Sequence, residues 1–375
     1  MKPKPPTSRE RPAALTVPAQ SLLFYGVSPV AFSKLKGVLD FHQLSFTEPL
    51  RNTILVTRSA DLLSAAVDQW NESLSTEDRA EVRAAMLDSA SPTEAEIARA
   101  ILSLEPLEHV LERLQGRWLP GLLAADSIFI MFQPLVSLSK RRTVAYECLV
   151  RARSEGIVIG AEKLLRTARV LGLSHELDQA VWRRAIKQGS ALVQEGHLLF
   201  LNFTPSAIAS EHQGLLHTME FFREGGLDTE RLVFEVTEAE RVRDESQLKR
   251  VIRECRLQGT KVALDDLGSG YSSILQLADL LPDYVKLDQG LVRGAHQDQV
   301  RAVFLKAIAD AAHNLGIFVV AEGIETEEDL KFCIAIDADL AQGYYIARPS
   351  EIPQLASVEA IQTLSEWTRD VGAPS

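Results

Sequence analysis

The feature that most constrains this chain is a change of pattern beyond about Ser127, where short apolar runs alternate with helical segments. The runs have the length and composition of strands and recur every few tens of residues: LLFLNF, RLVFEVTE, KVALDD, YVKLD, FVVAEG and the shorter LAQGYYI. Because strands that alternate with helices form parallel sheets, this order predicts an α/β protein with a parallel barrel or a doubly wound sheet.

Polar or charged side chains stand at the ends of these runs. They are Asn202, Glu235, Asp265, Asp266, Lys286 and Glu322. In a barrel of alternating strands and helices, the carboxyl ends of the strands converge on one mouth, so these residues would form one site together with Glu147. For a single acid, a helix N-cap or a solvated loop is an equally good explanation, but that explanation weakens for the whole set.

Such a site would carry an excess of negative charge. Five carboxylates and one lysine have a formal net charge of −4, which two divalent cations would cancel. Crowded carboxylates repel one another unless cations hold them, and oxygen ligands of this kind suit Mg²⁺ or Mn²⁺ rather than zinc. The sequence therefore predicts a divalent metal site with two ions.

The chain is long enough for two domains. Its 375 residues, 46% of them hydrophobic, can bury a large core and suggest one large and one smaller domain. Residues 1–20 are rich in proline and charge and are expected to form a flexible tail. We expect a small α/β domain at 21–120, the large domain at 121–365 and a C-terminal tail at 366–375.

The small domain is predicted from its own alternation of patterns, which runs SLLFYGV, SPVAFSKLKGVLDF, NTILVTR and SADLLSAAVDQW. Two helical stretches are expected next. The first has Ser75 and Asp78 spaced like a capping box, and the second is opened by Pro92 and Thr93 and runs through LEHVLERLQGRWL. An apolar stripe is expected to be core rather than a cofactor site; its members are Leu62, Leu63, Ala66, Val67 and Trp70.

Charge and cysteine content exclude some classes of function. A formal net charge of −11 argues against a general DNA- or RNA-binding protein, which would need a basic face. Three widely spaced cysteines indicate neither a zinc site nor a disulfide framework and favour a reducing compartment. No secretory signal or membrane span is visible in the sequence, so we expect a soluble, cytoplasmic protein that does not engage membranes.

Read together, these segments resemble the EAL phosphodiesterase family from about Phe132 to Pro349. The motifs that carry the resemblance appear in order: FQPLVSL, YECLVRAR, LNFTP, FEVTE, DDLGSGYSS, KLD, AEGIE and QGYYIARP. Glu147, Cys148 and Leu149 stand where the family name spells Glu, Ala, Leu. Other departures are Leu267 for the common phenylalanine and Ser269 for threonine. Cys148 is expected to be packing rather than a redox switch.

The resemblance implies a fold and an activity. The fold would be a modified eight-stranded β/α barrel whose first strand runs antiparallel to the others. The small domain before it is too short for a cyclase domain and carries no recognisable nucleotide or metal motif, so we expect it to have a regulatory or assembly role. The activity would be metal-dependent hydrolysis of the bacterial second messenger cyclic di-GMP to linear 5′-pGpG. A homodimer formed through the barrel domain is also expected by this resemblance.

Roles follow residue by residue from the same resemblance. One metal ion would be held by Glu147, Asn202, Glu235 and Asp265, and the second by Asp265 and Asp266. Lys286 would orient the attacking water, whereas Glu322 would either bind the second metal, directly or through water, or act as the general base. The remaining assignments are the substrate-site residues Gln133, Leu149, Arg151 and Gln342, and Glu238 as an anchor of the DDLGSGYSS loop.

Two other functions stay open at this point. One is a catalytically silent cyclic di-GMP receptor that signals through a protein partner, although no expected ligand position is missing. The other is an enzyme of a different class on the same barrel, because this fold hosts many chemistries. No GGDEF-like stretch precedes residue 120, so the chain is expected to degrade cyclic di-GMP and not to make it.

Overall fold

A computed structural model describes seven stretches of the chain, which are residues 21–41, 44–57, 75–154, 156–203, 212–236, 245–267 and 273–370. The chain divides into two compact units, Met1–Leu119 and Pro120–Ser375. The predicted N-terminal tail and the SADLLSAAVDQW segment, with the stripe from Leu62 to Trp70, lie outside the described residues. Within the described residues, no helix is long and apolar enough to cross a membrane.

The first unit contains a five-stranded antiparallel sheet of order β2-β3-β1-β4-β5. Its elements are β1 (Ser21–Gly26), α1 (Pro29–Phe41), β2 (Phe46–Thr47), β3 (Thr53–Thr57), α2 (Thr76–Ala80), β4 (Val82–Leu87), α3 (Glu94–Leu102), β5 (Glu105–Pro106) and α4 (Leu107–Gln115). Because neighbouring strand residues face opposite sides, Leu22 and Phe24 join one core cluster and Leu23 joins another. The first unit therefore has both strands and helices, as predicted for the small α/β domain.

The structure corrects the prediction for the end of this unit. Strand β4 was not predicted, since its sequence VRAAML is rich in helix-forming residues, yet pairing with β1 places it beside the middle of the sheet. The predicted start at Thr93 is confirmed, because Thr93 and Glu96 form a capping box. The helix does not run on through LEHVLERLQGRWL; Pro106 lacks the N–H that a continuous helix needs, and α4 begins after it.

The second unit consists of strands and helices in alternation, after a short helix α5 (Trp118–Ala124). Its strands are β6 (Ile128–Ser137), β7 (Arg142–Ser154), β8 (Ile157–Ile159), β9 (Leu198–Asn202), β10 (Leu232–Val236), β11 (Lys261–Leu267), β12 (Tyr284–Leu287), β13 (Phe318–Ala321) and β14 (Leu340–Ala341). Its longer helices are α6 (Ala161–Leu171), α7 (Ser174–Gln194), α8 (His212–Glu224), α9 (Glu245–Leu257), α10 (Ser273–Leu280), α12 (Gln299–Asn314), α13 (Glu327–Ala335) and α14 (Val358–Asp370), with the short α11 (Gln289–Val292) after β12. The predicted strand segments are confirmed.

The strands close into a barrel in which β6 pairs with both β7 and β14. Both of these pairings are antiparallel, whereas the pairings from β7 through β9 to β14 are parallel. Among the described residues, the short β8 pairs with the end of β7 alone and lies outside the closed ring. The fold expected from the family resemblance, with a reversed first strand, is confirmed.

The C-terminal helix α14 extends further than the sequence suggested. It runs to Asp370 and so enters the segment 366–375 that was predicted to be a tail. Ala360 and Leu364 on this helix are fully buried, so an apolar face holds it against the rest of the unit.

A candidate metal centre at the barrel mouth

A layer of apolar side chains fills the barrel and forms the floor of the site. Each barrel strand contributes one residue to this cluster: Leu135, Ala145, Phe200, Val233, Ala263, Tyr284, Val320 and Leu340. Side chains two residues apart lie on the same face of a strand, so the next inward position toward the mouth lies two residues later on each parallel strand. On β6, which runs the other way, that position lies two residues earlier.

All of these next positions carry polar or charged side chains, which we call the polar ring. Its members are Gln133, Glu147, Asn202, Glu235, Asp265, Lys286, Glu322 and Gln342. The first six belong to barrel strands, and the last two directly follow β13 and β14. The two-residue period of the strands therefore collects residues that are up to about two hundred positions apart in the sequence.

Lys286 is the most connected member of the polar ring and is 1% exposed. Its Nζ lies 2.6 Å from Glu322 Oε1, 2.7 Å from Glu235 Oε1, 3.2 Å from Asp265 Oδ1 and 3.6 Å from Glu147 Oε1. One ammonium group thus lies near four carboxylates, so the formal charge of the site is strongly negative. Such an arrangement is stabilised when further cations are bound.

Burial and charge shift the pKa values of this cluster. Burial alone would lower the pKa of Lys286, but the surrounding carboxylates, Asp265 first, raise it well above its usual value, so the ammonium stays charged. Burial raises the pKa of Glu235 well above its usual range, against the opposing effect of Lys286. Burial also raises the pKa of Glu322 to about 8, again with Lys286 acting in the opposite direction. The ring therefore holds carboxylates that are costly to ionise without more positive charge.

Three carboxylates lie close enough together to bind one metal ion. Oxygen atoms of Asp265, Asp266 and Glu322 are all within 4.8 Å of one another. Asp266 adopts a left-handed backbone conformation, with φ of 57°, and its N–H donates to Asp265 Oδ1 at 3.0 Å. This irregularity within β11, where the register with β12 shifts between Leu264 and Leu267, brings consecutive acids toward one point.

The donor set fits hard divalent cations. Every candidate ligand atom is an oxygen, and carboxylate oxygens suit Mg²⁺, Mn²⁺ or Ca²⁺. Glu235 Oε2 is buried and has no hydrogen-bond partner among the described residues. A buried oxygen without a partner is expected where the atom binds a cation. Asn202, beside Glu235 in the strand register, is the one amide among the predicted ligands.

Two glutamines of the polar ring connect to Glu147. Gln342 Nε2 donates to Glu147 Oε2 at 2.5 Å and to Gln133 Oε1 at 2.9 Å. Gln133 Nε2 in turn donates to the carbonyl of Ala347 at 3.1 Å. These bonds depend on the reversed strand β6, which lies between β7 and β14 and so places Gln133 between the other two side chains.

A cavity of about 250 Å³ opens above the polar ring. Its walls include the predicted residues Gln133, Glu147, Asp265, Lys286, Glu322 and Gln342. They also include Gln289, Arg293, Glu325 and Tyr344, which were not singled out from the sequence. Gln289, Glu325 and Tyr344 each follow a polar-ring residue by two or three positions, and Arg293 directly follows the short helix α11. Their proximity to strand ends is the sequence signal that could have identified them.

Other predicted residues lie away from this cavity. Leu149 and Arg151 share a strand face with Glu147 on β7 but are not among the side chains that line the cavity, and Arg151 Nη1 donates to Val150 O at 2.8 Å. Glu238 and the loop residues from Gly268 to Ser272 lie outside the described residues. Cys148 is 1% exposed, and its burial, followed by the nearby Glu235 and Glu147, raises the pKa of the thiol well above its usual value, in keeping with packing.

Comparison with known proteins adds an independent observation. A family description, "EAL domain", matches residues 116–349. The probable cyclic di-GMP phosphodiesterase PdeG of Escherichia coli is 31% identical over 224 residues, which are 58% of this chain and 44% of that protein. The first relatives matched are covered over less than half of their own length.

Solved structures of similar fold cover about three fifths of the chain. A standalone EAL protein from Vibrio cholerae O395, in its c-di-GMP-bound form, is 32% identical, with a TM-score of 0.54 over 61% of this chain and 95% of that chain. The PaMucR phosphodiesterase in complex with c-di-GMP is 26% identical, with a TM-score of 0.56 over 62% of this chain and 96% of that chain.

Proposed function

Because the chain belongs to the EAL domain family, we propose that it hydrolyses cyclic di-GMP to linear 5′-pGpG in a reaction that requires divalent metal ions. The observation that carries the proposal is the complete polar ring, in which each predicted ligand position on a described strand holds a carboxylate or an amide. The relatives named as cyclic di-GMP phosphodiesterases support the substrate.

The metal ions would be held by two overlapping sets of oxygens. Glu147, Asn202, Glu235 and Asp265 form the first set, and Asp265, Asp266 and Glu322 form the second. The charge of these carboxylates favours two ions, and Mg²⁺ or Mn²⁺ is our choice because each prefers hard oxygen ligands. When bound, such ions lower the pKa of water and neutralise charge that develops on a phosphoryl group.

The chain's own residues then position the reactants. Water adds to phosphorus while the bond to the 3′ oxygen breaks, which leaves a 5′-phosphate and a 3′-hydroxyl. Lys286 stays charged because of its raised pKa, so its ammonium can orient the water and stabilise negative charge beside Glu322. Glu322, whose pKa is raised to about 8, is suited either to metal binding or to accepting the proton of that water.

Substrate contacts complete the proposal. Arg151 would pair with a phosphate and Leu149 would contact a guanine, both from the inward face of β7 beyond Glu147. Glu238 would anchor the loop after β11. A homodimer formed through the barrel domain, a regulatory or assembly role for the first unit and a cytoplasmic location remain predictions of the same proposal.

The test is hydrolysis of cyclic di-GMP by the purified chain in Mg²⁺ or Mn²⁺, with products separated by chromatography. We expect pGpG to form with either metal and to disappear in chelator and in the Glu147→Ala variant. Glu351→Ala is a matched control, because this exposed carboxylate pairs with Arg153 away from the polar ring. It should retain full activity.

The alternative function is a silent receptor. It is favoured if the wild-type chain binds cyclic di-GMP and metal but releases no pGpG under any of these conditions. If neither binding nor hydrolysis of cyclic di-GMP is found, the assignment of substrate is wrong.

A further inference from the structure

We propose that Asp329 is a positioning residue for one wall of the cavity at the barrel mouth. It holds together two segments that carry this wall, which are the β12–α12 connection (288–298) and the β13–α13 connection (322–326). The proposal rests on the proposed function in one respect, which is that the cavity binds cyclic di-GMP. It adds a residue to the site and leaves every substrate contact proposed above in place.

The two connections meet at the cavity through a salt bridge. Gln289 and Arg293 belong to the first connection and Glu325 to the second, and all three line the cavity. Arg293 Nη2 pairs with Glu325 Oε1, and we call these two residues the rim pair. Their side chains are 52% and 37% exposed, so a ligand in the cavity can reach both.

The backbones of the two connections also lie very close together. A Cβ atom added to Gly323 would lie 2.4 Å from Gln289 Cβ and 3.0 Å from Gln289 Cα. Gly323 has a φ of 69°, which glycine adopts at little cost. The packing of the two connections therefore leaves no room for a side chain at position 323, and the position of the rim pair depends on this packing.

Asp329 accepts hydrogen bonds from the backbone of both connections. Its Oδ1 accepts from Gly294 N at 3.0 Å, and its Oδ2 accepts from Glu325 N at 3.3 Å and from Thr326 N at 3.1 Å. Gly294 directly follows the arginine of the rim pair, so the carboxylate fixes the backbone at or beside both members of the pair. Asp329 is 1% exposed, so water competes little for these bonds.

Helix capping accounts for only part of this arrangement. Asp329 N donates to Thr326 Oγ1 at 3.1 Å, and the Asp329 carboxylate accepts from Thr326 N, which together form the capping box of α13. Gly294 is 35 positions away in the sequence and is not part of that helix start. Its bond to Asp329 instead joins the first connection to the second.

This bridge requires a carboxylate. Both oxygens of Asp329 accept, one from each connection, whereas an asparagine has one accepting oxygen and an NH₂ group that donates. In Asp329→Asn, the NH₂ group would face either the N–H of Gly294 or the N–H groups of Glu325 and Thr326. Two donors cannot bond to each other, so one connection would lose its bond to residue 329 and the rim pair would no longer be held in place.

The experiment compares KM, kcat and metal affinity for wild type and Asp329→Asn at pH 7. We expect KM for cyclic di-GMP to rise by about 10-fold, because a displaced wall weakens substrate binding. The Kd for Mn²⁺ and kcat at saturating Mn²⁺ should stay within about twofold of wild type. Glu322 is held independently of Asp329, since it directly follows β13 and its N–H donates to Leu287 O at 3.3 Å. Steady-state kinetics and calorimetry measure these values.

Thr326→Val is the matched control for helix capping. It removes the hydroxyl that caps α13 and leaves the Asp329 carboxylate bonded to the backbone of both connections. We expect it to lower the midpoint of urea unfolding, as Asp329→Asn does, but to leave KM within about twofold of wild type. An equal rise of KM in both variants would overturn the proposal, because capping alone would then explain it.

Asp329→Gln is a second variant, which keeps a residue that is common in capping boxes but cannot bridge two donors with one oxygen. It should raise KM in the same way as Asp329→Asn, and it keeps the proposal testable if Asp329→Asn does not fold. A KM equal to that of wild type in folded Asp329→Gln would contradict the bridge.

Removal of the rim pair tests whether Asp329 acts through it. The double variant Arg293→Ala, Glu325→Ala changes exposed side chains and should raise KM by about 10-fold on its own. Adding Asp329→Asn to this variant should raise KM by no more than about a further twofold. An unchanged KM in the double variant, or a full additional effect of Asp329→Asn, would overturn the proposal.

Failure of the proposed function gives a different result, because binding of cyclic di-GMP in chelator is measured without turnover. The Kd for cyclic di-GMP should follow the same pattern as KM across these variants. A chain that shows this pattern but makes no pGpG supports the positioning role and refutes hydrolysis. A chain that makes pGpG with the same KM in wild type and Asp329→Asn refutes the positioning role alone.

Discussion

At the scale of single residues, the site contains one positively charged side chain and several carboxylates. Lys286 is buried and contacts four carboxylates, of which Glu235 is fully buried. Removing one partner of a buried ion pair leaves an uncompensated charge, which typically costs about 3–5 kcal/mol. Lys286 therefore matters to the metal-free fold as well as to the proposed chemistry.

This reasoning gives a prediction for Lys286→Met, a change that keeps most of the volume of the side chain and removes its charge. We expect hydrolysis to fall by about 100-fold or more and the free energy of unfolding of the metal-free protein to fall by about 3 kcal/mol. Urea denaturation in chelator and steady-state kinetics measure the two effects. Lys306→Met is the control, since the side chain of Lys306 is 39% exposed and pairs with Asp310 and Asp337. This substitution should cost less than about 1 kcal/mol. Unfolding energies that are equal for both variants would contradict the role given to Lys286.

At the scale of elements, the two-residue period of strands explains why much of this site was predictable. Asn202, Glu235, Asp265, Lys286 and Glu322 each follow an apolar run, and the parallel barrel brings strand ends together. The bond between Gln342 and Gln133 was not predictable in the same way. It requires that β6 run antiparallel between β7 and β14, and periodicity carries no information on strand direction.

The errors in the first unit have a related cause. The sequence VRAAML favours a helix by local propensity, but strand β4 gains pairing with both β1 and β5 and buries Val82 and Ala84. Such tertiary gains depend on which strands become neighbours. Thr93 and Pro106, by contrast, act on the adjacent backbone. Thr93 caps the start of α3, and Pro106 directly precedes the start of α4.

One element prediction concerns the start of α13, which directly follows the loop that carries Glu322. Asp329 is 1% exposed and completes a capping box with Thr326. Burial would raise the pKa of Asp329, but hydrogen bonds from Gly294 N–H, Thr326 and Glu325 N–H outweigh it and hold the pKa below its usual value of 3.8. Its folded pKa is lower than its unfolded pKa, so its contribution to stability is present above about pH 4 and is lost as the pH falls through the folded pKa.

The matching experiment compares wild type and Asp329→Asn by urea denaturation between pH 7 and pH 3. We expect Asp329→Asn to lower the free energy of unfolding by about 1–3 kcal/mol at pH 7, and we expect this difference to shrink as the pH falls below 3.8. Asp298→Asn is a matched control, because Asp298 also caps a helix, α12, but is exposed. A difference for Asp329→Asn that stays constant over the whole pH range would contradict the assigned charge effect.

At the scale of the whole molecule, the polar ring lowers the free energy of unfolding of the metal-free protein and at the same time provides the ligands that bind cations. Five carboxylates and one lysine give a formal net charge of −4 at the mouth of one barrel. Burial raises the pKa of Glu235 and Glu322 because their charged forms are costly there. Sites that concentrate such groups are commonly less stable than a neutral replacement would be.

We therefore expect one substitution to have opposite effects on the free energy of unfolding in the absence and in the presence of metal. Glu235→Gln keeps the shape of the side chain and removes a fully buried charge, while Lys286 keeps its other carboxylate partners. In chelator, the free energy of unfolding should rise by about 0.5–2 kcal/mol relative to wild type. Saturating Mn²⁺ should stabilise wild type by about 2.7 kcal/mol at 100 times its Kd, and should stabilise Glu235→Gln by much less. Thermal and urea unfolding with and without Mn²⁺ measure both effects. If Glu235→Gln is less stable than wild type in chelator, the buried carboxylate is a structural anchor and not a group kept for metal binding.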